Sequence, residues 1–132
     1  MLPHKYRLRV KADAGLTLTI TVRVRRFKLN ASGALVFEDP DVAEISAASV
    51  AVGATNTSAT IDNSGNLYLG FHAEFRVTTP ATAPTGNKQA ILYLLRSVDG
   101  GTTFDTTDAH VLSVIPVTAA STTYSQTAEV PV

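Results

Sequence analysis

The 132-residue sequence has no cysteine, no tryptophan and a single methionine. Without cysteine there is no disulfide, zinc ribbon or thiol nucleophile to consider. No apolar run approaches the roughly 20 residues that a membrane-spanning helix requires. The opening Met-Leu-Pro-His-Lys-Tyr-Arg lacks an apolar h-region and a small-residue cleavage site, so export by a signal peptide is not expected. Runs of Leu, Glu or Lys are also missing, and no apolar repeat of about 3.6 residues stands between helix caps. Thr, Ser, Ala and Val are plentiful instead. Threonine and valine fit pleated, half-buried surfaces and lose side-chain freedom in helices. The composition predicts an all-β chain, and its length suits one domain spanning 1–132 that buries a core without staples.

The formal net charge is zero, but the charges are unevenly placed. Lys5, Arg7, Arg9, Lys11, Arg23, Arg25, Arg26 and Lys28 hold most of the basic charge, and Asp13 is the only acid among them. Beyond Lys28 only Arg76, Lys88 and Arg96 are basic, and acids predominate. Fields of opposite sign on one small protein favour docking onto a complementary surface, including another copy of the chain.

Alternation of period two begins almost at once. Tyr6, Leu8 and Val10 alternate with Arg7, Arg9 and Lys11; after Asp13-Ala-Gly15, Leu16 to Val24 alternate with Thr17 to Arg25. Two such strands around a short Gly-containing loop predict a basic β-hairpin over 1–30, a candidate projecting arm that sets Arg7 and Arg9 near Arg23 and Arg25. Arg26 breaks the pattern and predicts a bulge or strand end. Further strands are expected at Ala34–Phe37, Ser49–Val52, Thr57–Ile61, Leu67–Val77, Ala90–Leu95, Ala109–Val117 and Ser121–Val130. Val42–Ala48 is ambiguous, with Asp41 a possible cap for one helical turn. Ala90-Ile-Leu-Tyr-Leu-Leu95 is continuously apolar and reads as a central strand covered on both faces. Strands at this spacing with Gly, Asn and Pro punctuation predict a single-domain antiparallel β-sandwich or jelly roll.

Chemistry is thinly signalled. His4, His72 and His110 have no nucleophile context, and no G-x-S-x-G elbow occurs. Glu38, Glu44, Glu74 and Glu129 have no supporting motif for paired-carboxylate catalysis. Asp99, Asp105, Asp108 and His110 cluster in sequence, but the spacing fits no EF-hand or nonapeptide calcium repeat. No catalytic residue, metal or cofactor is expected. Asn30-Ala-Ser32 and Asn56-Thr-Ser58 match the glycosylation pattern and read as turn sequence. Tyr6 lies on the apolar side of its strand, so the basic segment lacks the aromatic interleaving that nucleic-acid binding favours.

Ser97-Val-Asp99-Gly-Gly101-Thr-Thr103-Phe104 resembles the Asp-box of sialidases and related propellers, with Phe where Trp is usual. In those families the box braces a hairpin turn away from the active site, so the resemblance implies a structural turn through Ser97, Asp99, Gly101, Thr103 and Phe104 and no activity. From Ala51 to Val117 the order of pieces is similar to that of small tailed-bacteriophage virion proteins. These pieces are Val52-Gly-Ala-Thr-Asn-Thr-Ser58, the Leu67–Val77 strand, the Thr79–Gly86 loop, Ile91–Leu95, Ser97–Gly101 and Val114-Ile-Pro-Val117. That likeness implies a non-enzymatic protein that decorates or cements a capsid assembled in the host cytoplasm. It would touch the major capsid protein or another virion protein, as a homo-oligomer, without nucleic acid or membrane. Arg7, Arg9, Arg23, Arg25 and Arg26 are the expected partner-binding residues, since a guanidinium fork binds carboxylates bidentately. A carbohydrate-binding or tail-adhesin module is the alternative expectation.

Overall fold

The computed structural model describes residues 2–105 and 110–130. Ten strands run in chain order: β1 (Lys5–Asp13), β2 (Leu18–Leu29), β3 (Leu35–Phe37), β4 (Val42–Val50), β5 (Thr55–Thr57), β6 (Ile61–Asp62), β7 (Gly70–Thr78), β8 (Gln89–Arg96), β9 (Val111–Pro116) and β10 (Thr123–Val130). They form two antiparallel sheets packed face to face as a β-sandwich. Sheet A has the order β5-β1-β8-β9, with β6 continuing beside β1. Sheet B has the order β10-β7-β2-β3, with β4 lying beside β2.

The core follows from the two-residue period. Tyr6, Leu8, Val10 and Ala12 of β1 face Leu18, Ile20, Val22 and Val24 of β2 and Phe71, Ala73, Phe75 and Val77 of β7, and all twelve are buried. Tyr6 of sheet A stacks on Phe71 of sheet B, their ring centroids 6.2 Å apart. Burying each of the Leu, Ile, Val and Phe side chains among them contributes on the order of 1.5–3 kcal/mol. β8 is covered on both faces: Ala90, Leu92 and Leu94 point into the sandwich, while Ile91, Tyr93 and Leu95 pack beneath Phe104 on the outside.

The expected hairpin of β1 and β2 does not form. β1 pairs with β8, from Tyr6↔Arg96 to Asp13↔Gln89, whereas β2 pairs with β7, from Thr19↔Thr78 to Phe27↔Gly70. Each is an interior strand of a different sheet, so residues 1–30 do not project as an arm. The connection between them is an arch that carries the chain from one sheet to the other. Ala14 is buried in it, and Gly15 donates its amide to the Thr85 carbonyl at 2.7 Å. A Cβ on Gly15 would sit 1.9 Å from Thr85 Oγ1, so this approach requires glycine. Alternation is the same for a hairpin and an arch, because either can present an apolar face to one core.

Other boundaries also differ from expectation. Val42–Val50 is one strand, with irregular pairing between Ile20 and Arg23 of its neighbour; the bend falls here and not at Arg26, whose pairing with Phe71 is regular. The Thr57–Ile61 strand is split around Ser58, whose Oγ replaces a ladder acceptor for the Leu8 amide at 3.0 Å. β7 begins at Gly70, three residues later than alternation suggested, because Leu67 adopts a left-handed φ of 52°. The Asn30–Gly33 turn does join a true hairpin, β2–β3, with Asn30 Oδ1 accepting from the Ser32 and Ala34 amides.

Candidate interaction surfaces

β1 directs Lys5, Arg7, Arg9 and Lys11 onto the outer face of sheet A. Their cross-strand neighbours on β8 are Leu95 for Arg7, Tyr93 for Arg9 and Ile91 for Lys11. Long cationic side chains can lay their methylenes over such an apolar row and keep their charge in water. The Arg7 guanidinium stands 4.2 Å from the centre of the Phe104 ring, and its Nε donates to Thr60 Oγ1 at 3.1 Å. Arg9 Nε donates to Thr57 Oγ1 at 3.1 Å, and Lys5 Nζ lies 3.4 Å from Asp62. Among the described residues, neither Arg7 nor Lys11 has a carboxylate at ion-pair distance. Exposed Val111 and Val114 of β9 extend the apolar strip beside the cations.

The loop from β8 to β9 begins with a turn organised by Asp99. Its carboxylate accepts from Ser97 Oγ at 2.9 Å, the Thr102 amide at 3.1 Å, the Thr103 amide at 2.9 Å and Thr103 Oγ1 at 2.5 Å. Ser97 Oγ in turn accepts from the Gly101 amide at 2.8 Å. These donors, led by the Thr103 hydroxyl, hold the Asp99 carboxyl at a pKa of about 2. Gly100 and Gly101 both have left-handed φ, and Phe104 packs on Ile91, Tyr93 and Leu95. The turn thus sets the aromatic under Arg7. Asp99 has its acceptors filled and Asp105 accepts from the Arg96 amide and Nε; Asp108 lies outside the described residues. No group of three or more His, Asp or Glu among the described residues is arranged to hold a metal ion.

The outer face of sheet B has another character. β2 presents Arg23 and Arg25, and the segment between β3 and β4 folds back with the acids to meet them. Arg23 Nε donates to Asp41 at 2.5 Å, which pulls the Asp41 carboxyl below its usual range. Arg25 donates to the Glu38 carbonyl at 2.8 Å and lies 3.9 Å from Asp39. On β7, Arg76 and Glu74 are 2.8 Å apart, and His72 reaches Glu129 of β10 at 3.6 Å. Between these side chains lies an open groove of about 620 Å³. At its end Phe27, Phe37 and His72 form an aromatic cluster with centroid separations of 5.3–5.6 Å. Phe27 lies over Gly70, where a Cβ would come within 2.7 Å of the ring and 1.9 Å of the Val130 carbonyl.

Arg26 belongs to neither face. The alternation continues through it, so it turns inward at one end of the sandwich and forks onto the Glu38 carboxylate, with both side chains nearly buried. Its guanidinium lies 4.7 Å from the centre of the Tyr68 ring. The neighbouring Tyr6 hydroxyl is buried with no hydrogen-bond partner among the described residues; burial drives its pKa well up, against the pull of Arg26. Burial likewise raises the Glu44 carboxyl, again opposed by Arg26 and supported by Glu38.

The five arginines expected to act together are therefore distributed over three places: Arg7 and Arg9 on one outer face, Arg23 and Arg25 on the other, and Arg26 at the sandwich end. The missed residues are Glu38, Asp39 and Asp41, whose sequence signal was an acidic Glu-Asp-Pro-Asp turn close behind the basic strand. No protein-family model, no curated protein and no solved structure matches this chain.

Proposed function

We propose that this protein is a non-enzymatic structural component of a tailed-bacteriophage particle, held in many copies on an acidic protein surface by the outer face of sheet A. The observation that carries this reading is the pairing of cations with apolar surface there. Arg7 and Lys11 lack acidic partners among the described residues, and on the same face, beyond the buried Ile91, Tyr93 and Leu95 of β8, β9 exposes Val111 and Val114. Sheet B, by contrast, answers its arginines from within the chain. The order of elements from Ala51 to Val117 supports the virion setting, and a rigid sandwich suits a jelly-roll decoration or cement role. Exposed valines on the same face as arginine and lysine fit the mixed composition of docking surfaces, and repetition over a particle multiplies weak contacts.

The test is retention on assembled particles after Arg7→Gln with Lys11→Gln, changes to half-buried side chains of the outer face that leave the core intact. Retention is expected to fall and to become more salt-sensitive. Full retention at physiological salt would overturn the docking face.

A further inference from the structure

We infer that the groove on the outer face of sheet B is a binding site for a neutral oligosaccharide. The site lies on the opposite side of the sandwich from the cation row, so it stays open when sheet A is docked, and it does not depend on that docking.

Four properties point to this ligand class. The first is size: about 620 Å³ falls within the range of small-molecule sites. The second is charge. Arg23, Arg25 and Arg76 are balanced by Asp39, Asp41 and Glu74, so the groove has no surplus to draw an ionic polymer or a phosphate. The third is the supply of hydrogen-bonding forks. Each guanidinium has five donors and uses few of them within the chain: Arg23 engages Asp41 through Nε, and Arg76 reaches Glu74 through Nη2. Guanidinium and carboxylate planes side by side match adjacent sugar hydroxyls, each of which donates and accepts. Hydrogen bonds to charged groups are the stronger kind. The fourth is an aromatic edge. The half-exposed His72 ring borders the groove, backed by Phe37 at 5.3 Å, and is the aromatic surface a pyranose would meet. An apolar ligand would strip water from these ion pairs without replacing its hydrogen bonds, which disfavours it.

The experiment is an NMR titration of the full chain with neutral tri- to hexasaccharides of glucose, galactose, mannose and N-acetylglucosamine, with a heparin fragment as the anionic comparison. At least one neutral sugar is expected to shift the amides of His72–Arg76 and Arg23–Arg25. Its Kd should change less than about twofold between roughly 50 and 500 mM NaCl, unlike a ligand bound by counterion release. Glu74→Gln and Arg76→Gln should each weaken it by about tenfold or more. Arg7→Gln with Lys11→Gln should leave it unchanged, which separates this site from the docking face. Absence of binding by every neutral sugar at millimolar concentration overturns the inference. So does a shift map centred elsewhere, or tight salt-sensitive binding of heparin alone.

Discussion

β1 and β2 come from one basic stretch, share one alternation and feed one core, yet Arg7 of β1 and the arginines of β2 live in different electrostatic worlds. Those of β2 meet Glu38, Asp39 and Asp41, delivered by the return of the chain through β3. Arg7 of β1 meets a threonine hydroxyl and an aromatic ring. The lesson is that a count of basic residues measures charge but not its availability. Availability depends on which strand the chain lays alongside.

The largest expected effect tests the buried end of that contrast. Arg26→Met should destabilise the fold by about 3 kcal/mol, because Glu38 would keep a nearly buried charge without a partner. Adding Glu38→Leu should recover much of that loss in a denaturant melt, since the pair would then be apolar on both sides. Arg7→Met on β1 is expected to cost at most about 1 kcal/mol, the scale of a partly exposed cation–ring contact. Equal losses at the two positions would break the comparison.

Glu44 sharpens it with pH. Its folded-state pKa is raised by burial, so its protonated form favours the folded state, and that stability is fully present below the ordinary carboxylate value and lost as pH rises through the raised one. Glu44→Gln should therefore leave stability unchanged or improved at neutral pH, by less than about 1 kcal/mol, with the gain absent in acid. The Asp99 turn runs the other way. Its carboxyl is depressed to about 2, so its contribution holds above the ordinary carboxylate value and is lost as pH falls toward 2. A carboxyl NMR titration should place the midpoint there, and a midpoint at the ordinary value near 4 would remove Asp99 as the hub of the turn.

Much of the strand content was legible because burial imposes a two-residue period on β1, β2, β7 and β10 and a continuous apolar run on β8. Strand pairing was not, since alternation specifies a face and not a neighbour. Gly15 was readable as a turn residue, but only Thr85, seventy positions away, shows that the turn is an arch. Arg26 looked like a break because a cation in the inward row conflicts with burial; Glu38 resolves that conflict only after β3 folds back. The groove on sheet B was invisible for a similar reason, as Arg23, Glu74 and Thr127 come from three strands that are distant in sequence.

The arch has a further consequence for how the molecule comes into being. Tyr6 has Ile61 on one side but finds its other ladder partner only at Arg96, and Thr19 has Ser49 on one side but its other partner only at Thr78. A ribosome must therefore release most of the polypeptide before β1 is paired on both of its edges. Closure over such spans makes for slow, late folding, and the basic strand keeps one edge open until then.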